Sequence, residues 1–156
     1  MTETSSGPLP NNVAQLAAWS AWSPFTPDVV RTAPPTPGVY LFRQGSVLVY
    51  AGRAGERSGR GLRGRLTIYV SGRAPHSGLG NLALERALQD TEWVRARLVE
   101  IEAGTRLTVQ DWSAMAVRRA ELDVCWTSVI DAAQSVALER AVLDALRGAA
   151  LWNRIR

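Results

Sequence analysis

Two short runs of β-forming residues, Val39–Arg43 and Val47–Ala51, flank Gln44-Gly45-Ser46, and this pair constrains the fold more than any other stretch of the chain. Valine- and aromatic-rich runs around a glycine-containing break form a hairpin. Side chains alternate faces along a strand, so a one-residue change of register sends a whole set of them to the other face. Here that parity decides the fate of Tyr40 and Tyr50. With a three-residue loop, Arg43 pairs with Val47, Tyr40 falls opposite Tyr50, and both phenols project from one face. With a two-residue Gly45-Ser46 turn they take opposite faces unless a β-bulge restores the parity.

Past Gly52 a loop carries Gly55, Gly59 and Gly61, and the spacing then predicts a helix from about Leu62 to Val70. Leu62, Leu66 and Val70 can pack, while Arg65 and Tyr69 share a face one turn apart. Further helices are expected over Gly80–Asp90, over Val109–Ala120 with Thr108 as cap, and from an Asp131 cap to about Arg147, closed by Gly148. Leu122–Val129 reads as a strand. Thr91–Ala103 fits either a helix or a strand. The fold class that follows is α/β of the α+β kind, with a small, mainly antiparallel three-stranded sheet flanked by helices.

Residues 1–12 read as a disordered N-terminus, because Met1–Pro10 is mostly Ser, Thr, Pro and Gly. Asn12 is expected to cap a short helix over Val13–Trp22. Five prolines between residues 24 and 37 make an extended lead-in too small for a domain of its own. Residues 38–156 then form the domain proper, with 91–120 as a candidate insertion.

At 156 residues the chain suits one domain, and a fold of this size buries roughly two-thirds of its unfolded surface without needing staples. One cysteine, Cys125, excludes an intramolecular disulfide and reads as a small buried hydrophobe. One cysteine and one histidine cannot by themselves supply a tetrahedral zinc set. His76 reads as a solvated turn residue between Pro75 and Ser77. The glycine-rich loop is no P-loop, since the chain contains no lysine. No stretch approaches a membrane span and no basic-then-apolar leader opens the chain, so a cytoplasmic protein is expected.

All 18 basic residues are arginine, and their placement is more informative than their number. Between Arg43 and Arg73 seven arginines (43, 53, 57, 60, 63, 65 and 73) face a single acid, Glu56, in a chain whose net charge is +4. Such a concentration is the electrostatic footprint of a polyanion site. Arg53, Arg57, Arg60, Arg63 and Arg73 are therefore candidate phosphate and DNA contacts.

Gly38-Val39-Tyr40, then Tyr50-Ala51-Gly52, then Arg65 and Tyr69 resemble the opening of the GIY-YIG nuclease domain. The resemblance extends over about residues 37–153 and is much more specific in its first half. It implies a metal-dependent DNA endonuclease that hydrolyses phosphodiester bonds with a single Mg²⁺ (or Mn²⁺). In that family the two motif tyrosines flank the attacked phosphate, the helix arginine binds it, a later glutamate holds the metal and a terminal asparagine orients the site. Carried over, these are Tyr40, Tyr50, Arg65, Glu139 and Asn153, with Tyr69 where family members have a tyrosine or histidine. The chain departs from the pattern at Ala51, which stands in place of a branched residue. Its loop between Tyr50 and Arg65 is also longer, which leaves Arg60 or Arg63 as alternative phosphate-binding arginines. The alternative function is a nucleic-acid-binding module of the same fold with weak or no catalysis. A protein partner supplying specificity is a further expectation.

Glu139 carries its own signal. Its one-turn neighbours on the expected helix are Ser135, Val136, Val142 and Leu143, none of them a cation. A carboxylate on an apolar face needs a compensating partner, and a metal is one.

Overall fold

The computed structural model describes residues 9–56 and 60–153. The hairpin forms from β2 (Gly38–Gln44) and β3 (Val47–Ala54), numbered after a two-residue strand β1 (Ser23–Pro24). Its turn is the two-residue one: Gln44 pairs with Val47, and Gly45 takes the positive φ of 60° that such a turn requires at its first position. A bulge between Phe42 and Arg43 then shifts the register, so that Phe42 faces Tyr50 and Tyr40 faces Gly52. The extra residue restores the parity. Tyr40 and Tyr50 thus share a face without lying opposite one another, which corrects the three-residue-loop pairing.

β4 (Leu122–Ser128) pairs antiparallel with the other side of β2, and β1 pairs antiparallel with β4, giving the order β1-β4-β2-β3. The sheet has four strands rather than three, because Ser23–Pro24 of the proline-rich lead-in adds an edge. Proline is tolerated there since an edge strand does not need every backbone donor. At the opposite edge, Trp152 donates its backbone N–H to the Val49 carbonyl at 2.6 Å. The Asn153 amide then clamps Ala51, donating to its carbonyl at 2.7 Å and accepting from its N–H at 3.0 Å. These contacts cover the middle of the β3 edge and block strand pairing there.

The alternation along β2 divides the core. Tyr40 and Phe42 pack with Tyr50 and Val124 against Leu62, Leu66 and Tyr69 of α3 (Gly61–Val70), with Leu79, Leu82 and Ala83 of α4 (Gly78–Leu88) beyond. Val30 of α2 (Pro27–Arg31), whose N-terminus is capped by Thr26, closes one side of this layer. On the reverse face Val39, Leu41, Ala51 and Cys125 meet Val142 of α7 (Ala132–Ala145), with Leu146 just beyond it, and Val13 of α1 (Asn11–Ala14). Burial pushes the Cys125 thiol up to about 12, so it is the inert hydrophobe expected.

α1 is shorter than the helix expected over Val13–Trp22 and is not capped by Asn12, whose amide instead donates to the Ala145 carbonyl at 2.7 Å. Docking to the end of α7 won over local capping. Residues 91–120 become α5 (Thr91–Glu102) and α6 (Val109–Arg119). Asp90 caps α5 by accepting from the Trp93 N–H, which settles Thr91–Ala103 as helical, and Thr108 and Asp111 form a reciprocal capping box on α6. Ser113, Ala116 and Val117 of α6 are buried, whereas α5 buries no residue and touches α6 through the Trp93–Trp112 edge contact at 5.5 Å. Only the first part of the candidate insertion is peripheral. Among the described residues no helix is long and apolar enough to cross a membrane.

Candidate active site

Tyr40 stands on the central strand and Tyr50 on the edge strand. Their rings lie 6.4 Å apart and within 16° of parallel. Gly52 makes this possible: a Cβ there would sit 2.5–2.6 Å from the Tyr40 ring and hydroxyl. Glycine is thus required by the close approach of Tyr40, which is only 1% exposed. From α3, Tyr69 sets its ring edge-on to Tyr40 at 6.1 Å and accepts a hydrogen bond from the Tyr40 hydroxyl at 3.3 Å. Arg65, one turn earlier, lays its guanidinium 5.0 Å from the Tyr69 ring centroid, which fixes its direction by cation–π attraction.

α7 crosses the reverse face, yet Glu139 reaches the same cleft around the β3 edge. Tyr40, Tyr50, Gly52, Arg53, Arg65 and Glu139 all line this opening of about 1410 Å³, with Arg60 and Arg73 farther along its wall. Tyr69 is fully buried and does not line it; it holds Tyr40 and Arg65. Arg63 turns away, its Nε donating to the Ala33 carbonyl at 2.7 Å, and borders a smaller, adjoining depression beside Pro35 and Arg60. Arg43, a member of the basic run, is 2% exposed and paired with Asp123 at 3.0 Å, so its charge is withdrawn from the surface. Arg57 lies outside the described residues. Asn153 is the edge clamp on Ala51, next to Tyr50 in the chain, and acts on the site only through β3. His76 is exposed in its turn.

Glu139 does have a cation, contrary to the view along its own helix. Arg53 of β3 brings its Nε to 3.4 Å from Oε1, with the glutamate side chain 25% exposed and the arginine 44%. Burial pushes the Glu139 carboxyl above the usual carboxylate range, and Arg53 pulls it back. Among the described residues no three histidines, cysteines or acids cluster as a metal cage. Glu56 also lines the cleft, so a divalent cation bound beside Glu139 would find one or two carboxylates and take the rest of its shell from water, a donor set of the kind Mg²⁺ accepts.

No family model, curated protein or solved structure matches the chain. The resemblance to the GIY-YIG domain rests on the sequence motifs alone.

One residue and one pairing escaped the sequence reading. Gly78, which opens α4 with φ 53°, lies against two phenols: a Cβ there would stand 2.2 Å from the Tyr69 hydroxyl and 3.2 Å from that of Tyr50. The Ser77-Gly78 pair preceding a helix was the available signal. Arg53 was recognised as a phosphate candidate, but nothing along the chain joins it to Glu139.

The phenols stay protonated. Burial is the main cause that pushes Tyr40 and Tyr50 well above the ordinary tyrosine value of 10.0, neighbouring Tyr69 adds to it, and Arg65 opposes it. Because the folded values are raised, this contribution to stability is complete below the unfolded value and is lost as pH climbs through the folded ones. An absorbance titration should find Tyr40 and Tyr50 silent until alkaline unfolding releases them. Smooth ionisation of Tyr40 and Tyr50 near pH 10 in the folded protein contradicts this burial.

Proposed function

We propose that this chain is a GIY-YIG-type endonuclease that hydrolyses DNA phosphodiester bonds with one Mg²⁺ or Mn²⁺. The observation supporting it best is the convergence of Tyr40, Tyr50, Arg65 and Glu139, from β2, β3, α3 and α7, on one basic cleft. In this reading Arg65 binds the non-bridging oxygens of the attacked phosphate, its planar fork oriented by Tyr69. Tyr50, a neutral phenol at the cleft wall, hydrogen-bonds the phosphate or the attacking water. Tyr40 lies beneath it and fixes its ring. Water adds to phosphorus as the bond to the leaving deoxyribose oxygen breaks; the proton of the attacking water passes to solvent, and the leaving alkoxide takes one up from solvent. Glu139 would hold the cation, which when bound would supply the positive charge that a leaving alkoxide requires. Arg60 and Arg73 track the flanking phosphates.

A non-cleaving nucleic-acid-binding module is the second reading, favoured by the ion pair that already neutralises Glu139. Incubating the pure protein with supercoiled plasmid separates the two. Nicking in Mg²⁺ that EDTA abolishes is expected; retarded but intact plasmid in both conditions refutes the enzyme and leaves the binder.

A further inference from the structure

We propose that the Arg53–Glu139 ion pair is a counterion latch: a divalent cation arriving at Glu139 displaces Arg53, and the released guanidinium moves to a DNA phosphate. This rests on the nuclease reading and adds to it a coupling between the two ligands of the cleft. The pair is built to separate. Its 3.4 Å contact between Nε and Oε1 is longer than the roughly 2.7–2.9 Å of a strong charge-assisted bond. Both partners are partly exposed, 44% for Arg53 and 25% for Glu139, so exchange opens no sealed interior.

Position supports the exchange as well. Arg53 directly follows Gly52 on the edge strand and lines the same cleft as Tyr50, Arg65 and Glu139. While latched, its charge is cancelled by the carboxylate. Once the cation takes over Glu139, the cleft gains that cation's full charge and an arginine free to meet phosphate. In the metal-free protein the latch keeps a half-buried carboxylate satisfied, and it holds back one phosphate contact until the cation is in place. An ion pair that merely ties β3 to α7, with no cation binding at Glu139, predicts no change in divalent-cation affinity when Arg53 is removed.

Two measurements on the full chain test it. The first follows free Mn²⁺ by electron paramagnetic resonance without DNA: Arg53→Gln, and Arg53→Met as a second variant that keeps the apolar stem, should bind Mn²⁺ about three- to tenfold more tightly than the native protein. The second measures duplex DNA affinity in EDTA as a function of salt. Glu139→Gln, whose Arg53 is permanently released, should bind more tightly than the native protein, with a log–log slope steeper by about one. Unchanged Mn²⁺ affinity in both Arg53 variants, or an unchanged slope in Glu139→Gln, overturns the latch while leaving the nuclease reading standing. A native protein that binds neither Mn²⁺ nor DNA overturns both.

Discussion

Glu139→Gln should reduce Mg²⁺-dependent plasmid nicking by about two to three orders of magnitude, the loss usual when one preorganised charge-stabilising element is removed from an active site. The amide keeps the side-chain shape and removes the charge that holds the cation. Stability decides whether such a loss is chemical or structural. A deeply buried pair broken on one side costs about 3–5 kcal/mol because an unpaired charge is stranded. Arg53 is 44% exposed, however, and water can solvate it once Glu139 is neutral, so the cost belongs with surface pairs, at about 0–1 kcal/mol. Collapse of nicking with an almost unmoved melting temperature is the expected combination. Nicking at the native rate removes Glu139 from the site, and a melting point that falls with the activity makes the glutamate structural.

That expectation shows what could be read along the chain and what could not. Features set within one turn of helix or one hairpin were legible: the Thr108 and Asp131 caps, the Arg65–Tyr69 spacing on α3, and the strand at Leu122–Ser128. So was the condition that a two-residue turn must be compensated by a bulge for Tyr40 and Tyr50 to share a face. Which alternative obtains was not legible, because Gly45-Ser46 belongs to both turns and the bulge that restores the parity lies in the pairing of β2 with β3, with no residue signature of its own. The same limit hid the partner of Glu139. Helical spacing reports neighbours three and four residues away, whereas Arg53 comes from a strand 86 positions earlier in the numbering, brought close only when α7 packs across the sheet.

Long-range docking likewise reassigned residues whose local chemistry suggested something else. Asn12 has a capping side chain, and Asn153 reads as a turn residue or a site residue. Each instead ties a terminal segment to the body of the fold, one at the end of α7 and the other on the edge of β3. For Asn153 the two ideas meet. Its clamp on Ala51 fixes the backbone between Tyr50 and Gly52, so it orients the cleft by holding the strand, without itself lining the opening.

Gly52→Ala is the substitution that joins fold to site most directly. A methyl at this position would stand 2.5–2.6 Å from three atoms of Tyr40, far inside van der Waals contact. Retreat of the ring is blocked, since Phe42, Tyr50 and Tyr69 surround it and only 1% of its surface is exposed. Overpacking of this kind costs about 1–3 kcal/mol, and at about 2–4 °C per kcal/mol for a chain of this size the melting temperature should fall by about 2–12 °C. What remains folded has to displace either β3 or the Tyr40 ring, and both carry the cleft. Nicking should therefore drop further than the loss of folded protein explains when measured well below the new melting point. Duplex affinity should change little, because the cleft arginines keep their charge. The turn glycine of the same hairpin gives the control: Gly45→Ala, at a positive φ but with no atom within 4 Å of the added methyl, strains the turn without touching Tyr40. It should lower stability while leaving the rate per folded molecule unchanged. If both variants lose activity only in proportion to unfolding, Gly52 serves the sheet alone, and the close packing of Tyr40 has no part in positioning Tyr50.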